Sequence, residues 1–232
     1  MSRRRGRIIP AVRLPAYGSL LAANFLIMLL MPLFVSMRYG LLFERGLSAV
    51  MLVAAFVATG MPRADAWKLL FGIMPFLVMG SLGDERLENV AVLGRTALLV
   101  WAEYRILRQF LAEQVVGWDT VAAAATGFVV IGSIWGDLFL LLERWHPGSF
   151  MISPAFDIGS DRDPRAALAY FSFVTLTTVG YGEIAPANVG SGGLSVSEAL
   201  IGQLYLAVMI SRMVGLHLAG SRSSTDGGAA EG

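Results

Sequence analysis

The sequence TTVGYG at residues 177–182 decides the fold of this chain. A small cation can leave water only if protein oxygen atoms replace its hydration shell, which backbone carbonyls do when successive carbonyls face one axis. Neighbouring carbonyls normally diverge, but Gly180 and Gly182 adopt positive φ at little cost and so permit this arrangement. Thr178 adds a hydroxyl oxygen at the inner end, and the valine and tyrosine turn outward to brace the loop. The pattern predicts a selectivity filter for K+ formed by Thr178, Val179, Gly180, Tyr181 and Gly182.

One loop of this kind supplies one wall of an ion pathway, whereas a closed ring of carbonyls needs several walls. The chain contains one such loop. Four copies of the chain around one axis, a homotetramer, are therefore predicted. The alternative is a chance turn in a membrane loop, which would need no partner copies.

The residues on either side of the loop agree with this interpretation. Asp163-Pro164 is a favourable helix start, with an acid at the N-cap and proline in the first turn. A short pore helix from Pro164 to about Thr177 would end at the loop, where its partial negative charge suits a cation. Glu183 follows the loop and would form a ring of four carboxylates at the outer mouth.

The composition indicates that lipid surrounds much of the chain. Of its 232 residues, 56% are hydrophobic and 15% charged, and the mean hydropathy is +0.64, whereas soluble domains carry about 25% charged residues. The absence of cysteine excludes disulfides and thiolate chemistry. A membrane-crossing helix needs about 20 apolar residues. Six candidate spans, of which the second and third are short, lie at residues 17–37, 47–61, 67–82, 90–108, 120–142 and 195–215.

The basic residues favour a cytoplasmic N-terminus. Arginine is concentrated ahead of an apolar run that is too long for the core of a signal peptide, and the six-span layout places most basic residues inside. We therefore expect a multi-pass protein of the cell (inner or plasma) membrane, with both termini cytoplasmic and lipids as partners. The net charge of +1 provides no field that would recruit nucleic acid. The predicted regions are a basic N-terminus (1–16), a membrane region of about four helices (17–116), a pore domain (117–219) and a disordered cytoplasmic tail (220–232).

The fourth span lacks the pattern of a voltage sensor. Such a sensor needs several arginines at every third position, about three to four gating charges per subunit. Here Arg95, Arg105 and Arg108 occur at spacings of ten and three. Gating by an arginine repeat is therefore not predicted, and the short tail is not expected to hold a ligand-binding domain.

Further polar and helical positions are candidates for supporting roles. Asp137 lies toward the outer end of the fifth span, where an acid is costly unless it is paired. It is predicted to brace the back of the pore helix through hydroxyl groups, the alternative being an interfacial acid that reaches headgroup water. In the last span helical spacing selects candidate cavity-lining residues, although ordinary helix packing gives the same pattern. These are Gln203, Leu206, Ile210 and Val214.

Residues 170–186, YFSFVTLTTVGYGEIAP, resemble the pore loop of bacterial potassium channels of the two-span pore type. The resemblance covers about residues 120–218 and implies a homotetramer with a central pore and the filter roles given above. The last span looks like the inner helix of such channels, and Gly202 lies where many of them have a hinge glycine. Close helix packing is the alternative role for Gly202. Glu183 replaces the aspartate that is common after the filter in this family.

Together these patterns predict an all-α membrane protein, a helical bundle with a re-entrant pore helix and a selectivity filter. The predicted function is passive, potassium-selective conduction without enzyme activity, with no cofactor and with K+ bound through filter carbonyls alone. The alternative is a non-conducting or non-selective membrane protein that keeps the pore fold as a sensor or scaffold. A potassium transporter is disfavoured, because known transporters of this type resemble four joined pore repeats and this chain has one.

Overall fold

The computed structural model describes residues 84–112, 117–154 and 164–228. The predicted basic N-terminus, the first three predicted spans and the predicted N-cap Asp163 lie outside these residues. Within them, two helices are long and apolar enough to cross a membrane, over Thr120–Trp145 and Val189–Leu218. They correspond to the fifth and sixth predicted spans.

Helices account for most of the described residues. In chain order the elements are α1 Glu85–Ala112, α2 Trp118–Trp145, β1 Phe150–Ile152, α3 Arg165–Leu176, β2 Ile184–Pro186 and α4 Val189–Gly228. The predicted all-α fold is confirmed, with the addition of two three-residue strands. The helix α4 continues past residue 219, where the sequence predicted a disordered tail to begin. No proline interrupts residues 220–228, and extending an existing helix is much less costly than nucleating a new one.

The helix α1 begins at a capped end and packs along α2. The Asp84 carboxylate accepts hydrogen bonds from the backbone N–H groups of Arg86 at 2.8 Å and Leu87 at 3.4 Å, the usual role of an acid before a helix. Buried apolar side chains then fill the contact between the two helices. They are Leu99, Ala102, Ile106 and Val130.

Two glycines of α2 let the pore helix α3 lie close against it. A methyl group on Gly132 would lie 2.5 Å from the Phe173 ring, and one on Gly136 would lie 3.0 Å from Ala169 Cα. Their four-residue spacing places both glycines on one face of α2. Beside this contact an aromatic cluster, with ring centroids 5.2 to 5.4 Å apart, is formed by Phe139, Phe150 and Phe171.

The second half of α4 is tied to the C-terminal end of α1. The Arg212 guanidinium donates to the Leu111 carbonyl at 2.6 Å and to the Phe110 carbonyl at 3.3 Å, and it lies 5.7 Å from the centre of the Phe110 ring. The last carbonyls of a helix have no partner within the helix, and a cation there also opposes the helix dipole. Arg212 therefore fixes the end of α1 against α4.

The helix α4 is apolar but largely uncovered by the rest of the described chain. Of the 18 residues in its most apolar stretch, only 11% are buried. Several of its large apolar side chains are more than half exposed, among them Leu200, Leu204, Ile210 and Val214. A surface of this kind requires lipid or another protein against it.

Candidate functional site

The backbone of the loop at residues 177–182, here called the filter loop, alternates in handedness. Its φ angle is positive at Thr178 (60°), Gly180 (60°) and Gly182 (95°), but not at Val179 or Tyr181. Alternation between left- and right-handed conformations turns successive peptide groups of one kind to the same side. Carbonyl groups arranged in this way can replace the hydration shell of a cation. Positive φ at both glycines agrees with the sequence prediction.

Positive φ at Thr178 was not predicted, because threonine is β-branched and disfavours this conformation. A non-glycine residue there costs about 1–2 kcal/mol. Three backbone hydrogen bonds from the end of α3 offset this cost. Thr178 N–H donates to the Thr175 carbonyl at 3.0 Å, while Val179 and Gly180 donate to the Val174 carbonyl at 3.0 and 3.4 Å. The pore helix thus fixes the inner end of the filter loop through its own terminal carbonyls.

A short antiparallel pair of strands fixes the outer end of the filter loop. β1 pairs with β2 so that Phe150 lies opposite Pro186 and Ile152 opposite Ile184. The Glu183 carbonyl, directly before β2, accepts a hydrogen bond from Ser153 N–H at 2.7 Å. The sequence analysis missed these strands, since three residues are too few to show a period of two.

β1 is itself anchored to the end of α2 by Glu143. The Glu143 carboxylate accepts hydrogen bonds from the backbone N–H groups of Gly148 at 2.8 Å and Phe150 at 3.0 Å. A carboxylate that accepts backbone N–H bonds makes stronger contacts than a neutral acceptor. The outer end of the filter loop is therefore connected to α2 through β2, β1 and this side chain.

The predicted mouth residue Glu183 lies beside the pore helix. The pKa of the Tyr170 phenol is raised, chiefly by burial. The charge of Glu183 and a hydrogen bond between Tyr170 and Glu183 raise it further. One Glu183 carboxylate oxygen, Oε2, is buried without a partner among the described residues. Glu183 is thus half buried against α3 rather than extended into solvent.

The outward side chains of the filter loop are not enclosed by one chain. Within the described residues Val179 is 49% exposed and Tyr181 is 68% exposed. The sequence predicted that these two side chains brace the loop against its surroundings. The described part of a single chain provides no enclosing surroundings for them.

Gly202 lies where the end of the pore helix contacts α4. A methyl group on Gly202 would lie 2.6 Å from Leu176 Cδ1 and 3.3 Å from the Leu176 carbonyl oxygen. The close-packing role is therefore present in the structure, and α4 continues through Gly202 without interruption. Of the predicted cavity-lining residues, Leu206 is half buried. The other three, Gln203, Ile210 and Val214, are exposed.

Asp137 braces α1, not the pore helix as predicted. It is buried and accepts a hydrogen bond from Arg95 Nε at 2.9 Å and a second one from the same guanidinium group. The Thr96 hydroxyl oxygen lies 3.0 Å from the Asp137 carboxylate and 2.8 Å from the Val92 carbonyl. The partners of Asp137 therefore lie on α1, where the Arg95 guanidinium compensates the buried charge more fully than hydroxyl groups alone would.

A second buried acid, Glu198 on α4, was missed by the sequence analysis. Its Oε1 lies 2.5 Å from the Ser172 hydroxyl oxygen, and that oxygen lies 2.7 Å from the Gly132 carbonyl. Ser172 and Glu198 are both fully buried. The signal was present in the sequence, since an acid within an apolar span is costly and marks a functional position.

Comparison with known proteins adds to this geometry. Residues 163–216, which include the pore helix, the filter loop and most of α4, match a protein family described as an ion channel. The match supports an ion channel. Together with the two membrane-length helices, it also supports a membrane protein.

Two relatives match the chain over a limited length. The chain is 38% identical over 68 residues to "Two pore potassium channel c" from Oryza sativa subsp. japonica. The matched stretch covers 29% of this chain and 14% of that protein. The chain is also 30% identical over 77 residues to "Protein LctB" from Geobacillus stearothermophilus. This matched stretch covers 33% of this chain and 57% of that protein. The chain thus spans less than two thirds of the length of either relative.

Proposed function

We propose that this protein is the subunit of a homotetrameric potassium channel that conducts K+ passively across a membrane. The observation that carries the proposal is the alternation of positive φ at Thr178, Gly180 and Gly182, in a loop held at the end of a short helix. This backbone can present a column of carbonyl oxygens to a dehydrated K+ ion. The resemblance to a protein named as a potassium channel agrees with the choice of ion.

The exposed surfaces of a single chain support assembly of four copies. One filter loop provides one wall of an ion site, and its outward side chains Val179 and Tyr181 are poorly covered. The apolar face of α4 also needs a covering partner or lipid. A fourfold arrangement would surround the ion with four loops, place Tyr181 against neighbouring copies and bring the Glu183 carboxylates to the outer mouth.

The pore helix supplies electrostatic support for a cation. α3 ends at Leu176, directly before the filter loop. The C-terminal end of a helix carries a partial negative charge of about half an electron. Four such ends around an axis would stabilise a cation entering the filter from the inner side.

The contacts of α1 support a channel that is not gated by an arginine repeat. Arg95 is held in its buried pair with Asp137, and Arg105 lies 5.5 Å from the centre of the Trp101 ring. Gating charges must move through the membrane field. An arginine fixed to α2 by two hydrogen bonds is poorly suited to that movement.

The proposal extends to topology. Residues 117–219 would form the pore domain, and residues 17–116 an N-terminal membrane region, in a multi-pass protein of the cell membrane with cytoplasmic termini. No enzyme activity and no cofactor are proposed, and K+ is the permeant ion. Gly202 would serve as a hinge only if α4 bends there, against its contact with Leu176.

Ion flux tests the proposal. The purified protein, reconstituted in liposomes with opposed K+ and Na+ gradients, is expected to give a reversal potential near the K+ equilibrium potential. Gly180→Asp should abolish this current. Gly193→Asp is a control, because Gly193 is also exposed with open space at its Cβ position but lies in α4, outside the filter loop and its anchoring contacts.

The outcomes separate the alternatives. A reversal potential near zero with robust current would indicate a non-selective pore and contradict K+ selectivity. No current in a folded tetramer, across pH and voltage, would favour a pore-fold protein that acts as a sensor or scaffold.

A further inference from the structure

Two distances at Ser172 determine where a proton lies behind the filter loop. The Ser172 hydroxyl oxygen is 2.7 Å from the Gly132 carbonyl and 2.5 Å from Glu198 Oε1. A hydroxyl group has one hydrogen to donate, and a carbonyl oxygen can only accept. If Ser172 donates to Gly132, its contact with Glu198 requires a hydrogen on the carboxyl group.

The opposite assignment leaves two oxygen atoms facing each other without a hydrogen between them. A charged Glu198 would take the Ser172 hydrogen, so the hydroxyl oxygen and the Gly132 carbonyl would lie 2.7 Å apart unbonded. The distance is that of a hydrogen bond, not of a repulsive contact. The neutral form of Glu198 satisfies both distances, and the charged form satisfies only one.

The surroundings of Glu198 also favour the neutral acid. Its second oxygen, Oε2, is buried and has no hydrogen-bond partner among residues 84–112, 117–154 and 164–228. Its polar neighbours are Ser172 from α3 and, through that hydroxyl, the Gly132 carbonyl from α2. Among the described residues no cation pairs with Glu198. Burying an unpaired carboxylate costs far more than burying a neutral acid.

We propose that Glu198 is present as the neutral acid and donates its proton to Ser172, so that one chain of hydrogen bonds joins α4, α3 and α2 behind the filter loop. Ser172 lies two residues before Val174, whose carbonyl accepts hydrogen bonds from the Val179 and Gly180 amides of the filter loop. Glu198 is therefore a positioning residue that fixes the pore helix, and this role rests on the proposed K+ conduction. Loss of the proton would turn the Ser172 hydrogen toward the carboxylate and release the link to α2.

Infrared difference spectroscopy locates the proton without measuring conduction. The spectrum of the purified full-length protein at neutral pH is expected to contain a protonated-carboxyl band that disappears in Glu198→Gln. Glu88→Gln is the matched control, since Glu88 lies outside the Ser172 contact and is paired with Arg144 at 2.9 Å. Its substitution should leave that band unchanged. An identical protonated-carboxyl band in the wild type and Glu198→Gln would overturn the proposal.

The pH dependence of the K+ current tests the positioning role. The wild-type current in liposomes is expected to fall as the pH is raised. Glu198→Gln should keep its current over the same range, because an amide donates to Ser172 at every pH. An equal alkaline loss in both proteins would overturn the positioning role. If the wild type passes no K+ current, the proposed function fails, whereas the infrared result still decides where the proton lies.

Discussion

The buried ion pair between Arg95 and Asp137 allows a quantitative test of how α1 is held against α2. The side chain of Asp137 is 1% exposed and that of Arg95 20% exposed, and Thr96 is a further partner of Asp137 among the described residues. Removing one partner of a buried pair leaves the other charge without compensation and costs about 3–5 kcal/mol. Arg95→Leu leaves the more deeply buried charge, so we expect a loss of about 4 kcal/mol. Asp137→Leu leaves a partly exposed arginine, so a smaller loss of about 3 kcal/mol is expected.

The double variant separates the pair from the packing around it. Replacing both residues by leucine removes both charges, and replacement of a buried ion pair by apolar residues is often neutral or stabilising. The expected order of unfolding free energy is therefore Arg95→Leu lowest, then Asp137→Leu, with the double variant close to the wild type. The variants are compared by equilibrium unfolding of the purified protein in detergent.

A second ion pair provides the control. Arg144 and Glu88 also join α2 to α1, with side chains 11% and 19% exposed. Because glutamine keeps an acceptor oxygen for Arg144, which also donates to Asn89 Oδ1 at 3.0 Å, Glu88→Gln should cost only about 1 kcal/mol. The reasoning fails if Arg95→Leu is as stable as the wild type, or if the double variant is less stable than both single variants.

Three further substitutions test the contacts around the filter loop. Gly136→Ala would bring a methyl group to 3.0 Å from the backbone Cα of Ala169. Its free energy of unfolding in detergent should therefore fall by about 1–3 kcal/mol. Gly192→Ala, which has open space at its Cβ position, should show no such loss. Gly202→Ala meets the flexible end of Leu176 at 2.6 Å and should cost less than Gly136→Ala in the same assay, and the reverse order would contradict this packing. Glu143→Gln removes the charge that accepts two backbone N–H bonds, which should weaken this contact by about 1 kcal/mol. The variant should therefore accelerate the decay of K+ current during sustained recording. An unchanged decay would show that β1 does not support the loop.

The parts of the fold that sequence predicted are those with a local cause. The filter loop was recognisable because closely spaced glycines permit an unusual backbone, and positive φ occurs at both Gly180 and Gly182. The pore helix was predicted from Pro164 to about Thr177 and is observed over Arg165–Leu176. A proline at its start and a backbone irregularity at its end are both visible in sequence.

The parts that sequence did not predict depend on distant residues. Asp137 was recognised as an acid that needs a partner or headgroup water, but its partner Arg95 lies 42 positions earlier in the chain. Glu198 meets Ser172 across 26 positions, and the two strands pair across the whole pore helix. The positive φ at Thr178 also escaped notice, since it depends on hydrogen bonds to α3 that the threonine residue by itself does not reveal.

The two ends of the filter loop are held by different helices. The inner end is hydrogen-bonded to the last turn of α3, whereas the outer end is connected through β2, β1 and Glu143 to the end of α2. A change in the tilt of α2 relative to α3 therefore changes the distance between these two attachments and stretches or compresses the loop. Because α2 is long and apolar enough to cross a membrane, a change in bilayer thickness that tilted α2 would be transmitted to the filter loop through these contacts.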